Sequence, residues 1–159
     1  MNQELQPISY MGFMNMVHRI WGSSFDPMPL AEKHLASVEV SEDKERLTFH
    51  LDDGRSITYH AEGDCCSQSW IEHLTVPPDI AGAEITGYAE TDMGEFVEDY
   101  DTIRVYQTSF QTAKGEIIVE YRNSSNGYYG GWLDGPDDQW AKDEARRLHE
   151  KYAAERAAS

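Results

Sequence analysis

From residue 36 onward, apolar and polar positions alternate with a period of two. Leu47, Phe49 and Leu51 are separated by polar residues, Asp52, Asp53 and Gly54 supply a turn, and Ile57 and Tyr59 resume the alternation. Successive strand side chains point to opposite faces, so this pattern predicts a β-hairpin closed by a tight turn. Val38 and Val40 predict the strand before it. A second hairpin is predicted over 102–111 and 116–122, with a turn at Ala113, Lys114 and Gly115 and with Ile117, Val119 and Tyr121 on one face. Residues 83–91 predict a further strand. Strands joined by hairpin-length turns build an antiparallel sheet rather than alternating βαβ units.

The period changes at the two ends. Tyr10, Phe13, Met14, Val17 and Trp21 recur at three- and four-residue steps after Pro7 and Ser9, which predicts a helix over 9–21. Met11 and Met16 lie off that stripe and make the segment unusually apolar for a surface helix. Residues 22–30, with two prolines and a glycine, read as a connector. A second helix is predicted over 136–155, with Gly135 or Asp134 as its cap and Pro136 in its first turn. Asp137 and Asp138 sit at its positive end, Arg146, Arg147 and Lys151 toward its negative end, and Ala141, Ala145, Leu148 and Tyr152 form its apolar stripe. The expected architecture is α+β: one domain over 1–159, with an antiparallel sheet of about five strands across 36–133 and a helix at each end.

Charge narrows the partners. Thirteen Lys+Arg against 29 Asp+Glu leave a formal charge of −16, which disfavours direct binding to nucleic acid and to anionic membranes. The same field attracts a basic surface on another protein, although solubility alone explains such a charge. The two cysteines, Cys65 and Cys66, are neighbours. Their Cα atoms stand about 3.8 Å apart, short of the roughly 4.4–6.8 Å that a disulfide spans, so reduced thiols in a cytoplasmic setting are expected. Asn15, His18 and Arg19 interrupt the apolar residues between Tyr10 and Trp21, so neither a signal peptide nor a membrane span is expected.

Two segments break the strand pattern with an unusual composition. Residues 63–70 contain Asp64, Cys65, Cys66, Ser67 and Trp70; residues 123–132 contain Asn123, Asn126, Tyr128, Tyr129 and Trp132. Both read as loops that follow strands, so both can lie at one end of the sheet. Together they supply glycines, amides, hydroxyls and aromatic faces, a mixture suited to a small-molecule pocket. The structural alternative is that the glycines and asparagines serve tight turns and the rings close over the sheet end. GDCCSQSWIEHL (63–74) and RNSSNGYYGGW (122–132) resemble the signatures of an uncharacterised family of small proteins found mainly in bacteriophages and prophages. The resemblance covers about residues 35–133. It implies an antiparallel sheet between the motifs and a protein that modulates a host process, and it brings no activity with it.

Enzyme readings are weaker. Cys65 or Cys66 with His60 or His73, oriented by Asp64 or Glu72, would make a nucleophile pair, but adjacent residues on a strand point to opposite sides. A zinc set of His60, Cys65, Cys66 and His73 suffers because adjacent cysteines converge poorly on one ion, so no metal or other cofactor is expected. Residues 92–101 lack the alternation and turn glycine of a calcium loop, and no phosphate-binding, nucleophile-elbow or dinucleotide motif occurs. Between residues 79 and 101 lie eight carboxylates, among them Glu90, Asp92, Glu95, Glu98, Asp99 and Asp101, with Phe96 and Tyr100 interleaved and no Lys or Arg. Such a row can imitate phosphates and occupy a basic groove, or it can be a solvated connection between strands. The expectation is a non-enzymatic binding protein that modulates a host defence or nucleic-acid-handling complex. Its contacts would come from the acidic row and from Phe13 and Met14 of the N-terminal helix. A small-molecule or nucleotide binder is the alternative, and a cysteine-dependent enzyme comes third.

Overall fold

The computed structural model describes residues 6–7, 25–64, 66–127 and 130–158. In chain order they form β1 (Gln6–Pro7), a 3-10 turn (Met28–Leu30), β2 (Leu35–Val40), β3 (Arg46–Leu51), β4 (Ser56–Gly63), β5 (Gln68–Thr75), β6 (Ile85–Glu98), β7 (Asp101–Thr112), β8 (Gly115–Ser125), β9 (Gly131–Asp134) and α1 (Gln139–Ala158). The strands make two sheets, ordered β1-β6-β7-β8-β5 and β2-β3-β4-β9, and every strand pair is antiparallel. Each sheet is thus four full strands, and the two-residue β1 extends one edge of the first.

Both expected hairpins form. β3 pairs with β4 through Phe49↔Ile57 and Leu47↔Tyr59, and β7 pairs with β8 through Phe110↔Ile117 and Thr108↔Val119. Their inward residues meet across the sheets. The Phe110 ring of β7 lies 5.2 Å from Phe49 of β3 in an edge-on arrangement, and Phe49 lies 5.9 Å from Tyr59. Phe25 fills the space beside them, 4.9 Å from Tyr59 and 5.9 Å from Tyr88. Such tilted and edge-to-face pairs add to the burial of these large rings.

The expectation of one sheet of about five strands is corrected. The two segments read as loops, 63–70 and 123–132, are in part strand: residues 68–70 open β5 on the first sheet, residues 123–125 end β8, and residues 131–132 open β9 on the second sheet. Alternation was invisible there because several inward positions hold glycine, serine or asparagine in place of apolar residues. The strand expected over 83–91 continues to Glu98, so most of the acidic row is itself strand. The helix expected over 9–21 lies outside the described residues.

The C-terminal helix begins later than its sequence suggests. Asp137 donates its backbone N–H to Thr58 O at 2.8 Å, and Asp138 Oδ2 accepts the Thr58 N–H at 2.7 Å. Both aspartates therefore anchor the chain to β4, and the first helical bond runs from Lys142 N–H to the Asp138 carbonyl at 3.0 Å. Pro136 precedes the helix rather than occupying its first turn. Ala141, Ala145 and Leu148 are buried as the stripe predicts. No helix among the described residues is long and apolar enough to cross a membrane.

An ion pair and a histidine–carboxylate hydrogen bond fasten α1 to the segment before β2. Lys33 Nζ lies 2.8 Å from Glu144 Oε2 with both side chains nearly covered, and His149 Nε2 lies 2.7 Å from Asp26 Oδ2. Hydrogen bonds from Arg147 and then Lys33 hold the Glu144 carboxyl at about 2, against an ordinary value of 4.5. Its stabilising contribution is complete above the ordinary value and is lost as pH falls through about 2. Glu144→Gln should cost about 1 kcal/mol at neutral pH, a charged hydrogen bond discounted for partial exposure. Thermal melts of both proteins from pH 7 to pH 2 should show that gap closing below about pH 4.5.

Candidate functional site

The two motif segments meet, and glycine makes the meeting possible. Gly63 at the end of β4 pairs with Gly131 at the start of β9, on the second sheet. Ser69 of β5 pairs with Asn123 of β8, on the first. A Cβ on Gly63 would stand 2.6 Å from Ser67 Oγ and 2.8 Å from Asn123 Nδ2, and a Cβ on Gly131 would collide with Ser69 Oγ. The sheets therefore approach through two backbones that carry no side chain.

Asn123 is the centre of this junction. It is fully buried and donates through Nδ2 to Ser67 Oγ at 3.0 Å and to Ser69 Oγ at 2.9 Å. The Ser67 hydroxyl donates to the Asp64 carbonyl at 2.6 Å, so its lone pair faces the amide and fixes which end of Asn123 points toward it. Asp64 then ties the second segment down. Its N–H donates to Gly130 O at 3.2 Å, and its Oδ2 accepts the Gly130 N–H at 3.1 Å.

The other expected pocket residues disperse. Trp70 is the strand neighbour of Ser69 and so stands on the opposite face of β5; its indole N–H donates to Glu72 at 2.6 Å and holds that carboxyl below its ordinary value. Trp132 lies on β9 opposite Glu62, Asn126 is exposed in the bend after β8, and Cys66 is exposed in the turn before β5. Cys65, Tyr128 and Tyr129, like Phe13 and Met14, lie outside the described residues. His60 and His73 sit on different sheets.

Beside the junction runs an open groove of about 810 Å³. Ser67, Gln68 and Ser69 line one part of it; His60, Glu62, Asp137 and Asp138 line another, with Arg46 as its cationic side chain. A groove with this lining favours a cation over an anion.

The acidic row forms a second feature. β6 and β7 pair without a break from Gly94↔Val105 to Glu98↔Asp101, and Asp99 and Tyr100 close the turn with φ of 49° and 72°. Two central residues with positive φ are the two-residue hairpin turn that suits strand twist. Met93, Phe96, Val97 and Tyr100 are exposed large apolar residues, with Tyr100 wholly in solvent. Glu95 is held 3.3 Å from Arg104, and the Arg122 guanidinium lies 5.7 Å from the Phe96 ring. Sequence reading found the carboxylates and the interleaved Phe96 and Tyr100. It passed over Met93 and Val97, whose exposure depends on strand register and on a bulge between Asp92 and Gly94.

No curated protein and no solved structure matches the chain. A family model described as a domain of unknown function, DUF7448, matches residues 29–134. That span runs from the 3-10 turn to the end of β9 and includes both motif segments, the groove strand β4 and the whole acidic hairpin, while α1 lies beyond it. With more than half of its length inside the match, the chain belongs to the DUF7448 family.

Proposed function

We propose that the protein is a non-enzymatic, acidic binding protein whose β6–β7 hairpin docks onto a basic surface of a partner protein. The observation that carries this reading is the exposed set of Met93, Phe96, Val97 and Tyr100 set among Glu95, Glu98, Asp99 and Asp101. Apolar and aromatic anchors ringed by charge are the composition of a recognition patch: the rings bury on docking, and the carboxylates steer a cationic partner toward them. Tyr100 adds a second support. A bulky residue in the left-handed region is strained by about 1–3 kcal/mol, and glycine at the same place would be cheaper. A strained, fully exposed tyrosine is better explained by what it touches than by the hairpin it closes. The resemblance to phage and prophage proteins directs the search to a host defence or nucleic-acid-handling complex.

Tyr100→Gly should therefore raise the melting temperature while weakening the partner complex, two effects of opposite sign from one substitution. Photo-crosslinking from position 100 in lysate of the source cell identifies the partner, which is then purified and titrated. Reversing Glu95, Glu98, Asp99 and Asp101 to lysine together should slow association by roughly 10- to 1,000-fold at low salt. Unchanged binding after that reversal would remove the hairpin from the interface. A small molecule in the groove is the second reading, favoured by Ser67, Gln68 and Ser69 of the first motif segment on its wall, with Asn123 of the second segment holding the two serines in place. Thermal stabilisation by a panel of cationic metabolites, abolished by Gln68→Trp at an exposed position of the groove wall, would support it over the hairpin reading.

A further inference from the structure

We propose that His60, Glu62 and Asp134 form a binding site for a divalent transition-metal ion at the edge of the groove. One donor atom from each of the three lies within 4.8 Å of the other two. The sheet produces this convergence. His60 and Glu62 are two residues apart on β4 and share a face, and Asp134 of β9 is the direct cross-strand partner of His60. Metal–ligand distances of about 2.0–2.2 Å place neighbouring donors roughly 3–4 Å apart, so small rotations of the two carboxylate side chains complete the set.

The imidazole is already oriented for the task. His60 Nδ1 lies 2.8 Å from Asp137 Oδ1, and Nε2 lies 3.3 Å from Glu62 Oε2. A carboxylate on one ring nitrogen selects the tautomer whose other nitrogen offers its lone pair, the arrangement by which metal-bound histidines are held. Asp137 is itself fixed by its backbone bond to Thr58. His34 supplies the internal contrast. It also stands near two carboxylates, Asp52 at 3.8 Å and Glu84 at 3.9 Å, but they face different ring nitrogens and cannot share one ion with the ring.

One nitrogen and two carboxylates suit zinc and manganese better than magnesium, and zinc should bind tighter than manganese. Three protein ligands leave coordination positions open, and His60, Glu62 and Asp137 all line the groove. An ion there would place positive charge in a groove whose charged side chains are mainly carboxylates.

Isothermal titration of the metal-stripped full chain with zinc chloride, and separately with manganese chloride, tests the site. One zinc per chain is expected, with binding lost in His60→Ala and weakened at least tenfold in Glu62→Gln and in Asp134→Asn. Asp137→Asn should weaken it by about 10- to 100-fold through ring orientation alone. Glu62 is half exposed, so Glu62→Gln keeps the test valid even where His60→Ala perturbs folding. His34→Ala should leave binding unchanged. Absence of binding to the native chain, equal affinity in Glu62→Gln, or equal loss in His34→Ala would overturn the proposal.

Discussion

Phe110→Ala is expected to lower stability by about 3–5 kcal/mol, the largest effect of any single substitution considered for this chain. Phe110 is fully buried, and it touches Phe49 from the other sheet as well as lying 6.2 Å from Tyr88 on its own. Removing the ring costs the transfer of its apolar surface and leaves a cavity bounded by two β-sheets, whose hydrogen-bonded backbones cannot collapse into it. In a chain of this size each kcal/mol moves the melting temperature by roughly 2–4 °C, so a drop on the order of 10 °C is expected in a thermal melt. Phe110→Leu should recover much of the loss, because it restores volume at the same place. A drop of only one or two degrees for the alanine variant would mean that the sheets do not pack through this ring.

The second large effect is expected from adding one methyl group. Gly131→Ala should cost about 2–3 kcal/mol, in the range for overpacking a close contact. The new Cβ would collide with Ser69 Oγ and stand 3.0 Å from Asn123 Cβ. Ser69 and Asn123 cannot turn away freely, since each holds the other at 2.9 Å inside the junction. The loss is steric, and that makes it testable by rescue. Ser69→Ala in the Gly131→Ala background should regain part of it, with a coupling of at least about 0.5–1 kcal/mol in a double-mutant cycle. Denaturant titration of the four proteins measures this. Strict additivity would show that β5 and β9 do not approach as closely as the geometry requires.

These two substitutions mark where sequence reading succeeds and where it stops. Phe110 belongs to a strand legible as one arm of a hairpin, and its burial follows from its pairing opposite Ile117, which the alternation of the other arm places inward. Gly131 carried no such signal. A glycine in a segment rich in Gly, Asn and Ser reads as a turn residue, and its role as half of an inter-sheet contact depends on Gly63, far away in the chain. Asn123 was legible as a candidate and Ser69 was not, although the two hydroxyls of Ser67 and Ser69 serve the same amide. The donors near His60 were missed for a related reason. Reading for metal ligands favoured the paired cysteines, whereas the carboxylates that approach His60 come from a position two residues along its own strand and from Asp134, read as a helix cap but lying at the end of β9.

The sequence by itself determined the two hairpins, the inward faces of β3, β4 and β8, the apolar stripe of α1 and the acidic character of residues 79–101. All of these are set locally: period-two alternation, turn residues and helical spacing act between residues a few positions apart. Only the tertiary structure decided that the strands divide into two sheets and that both motif segments converge on Asn123. It alone also set Asp134 beside His60, and Met93 and Val97 in solvent. An inward-facing valine or phenylalanine looks the same whichever sheet it lines, and glycine, serine and asparagine leave no hydrophobic trace when they face inward. Sheet order comes from pairings between distant segments, and the sites of this protein lie where those pairings bring the strands together.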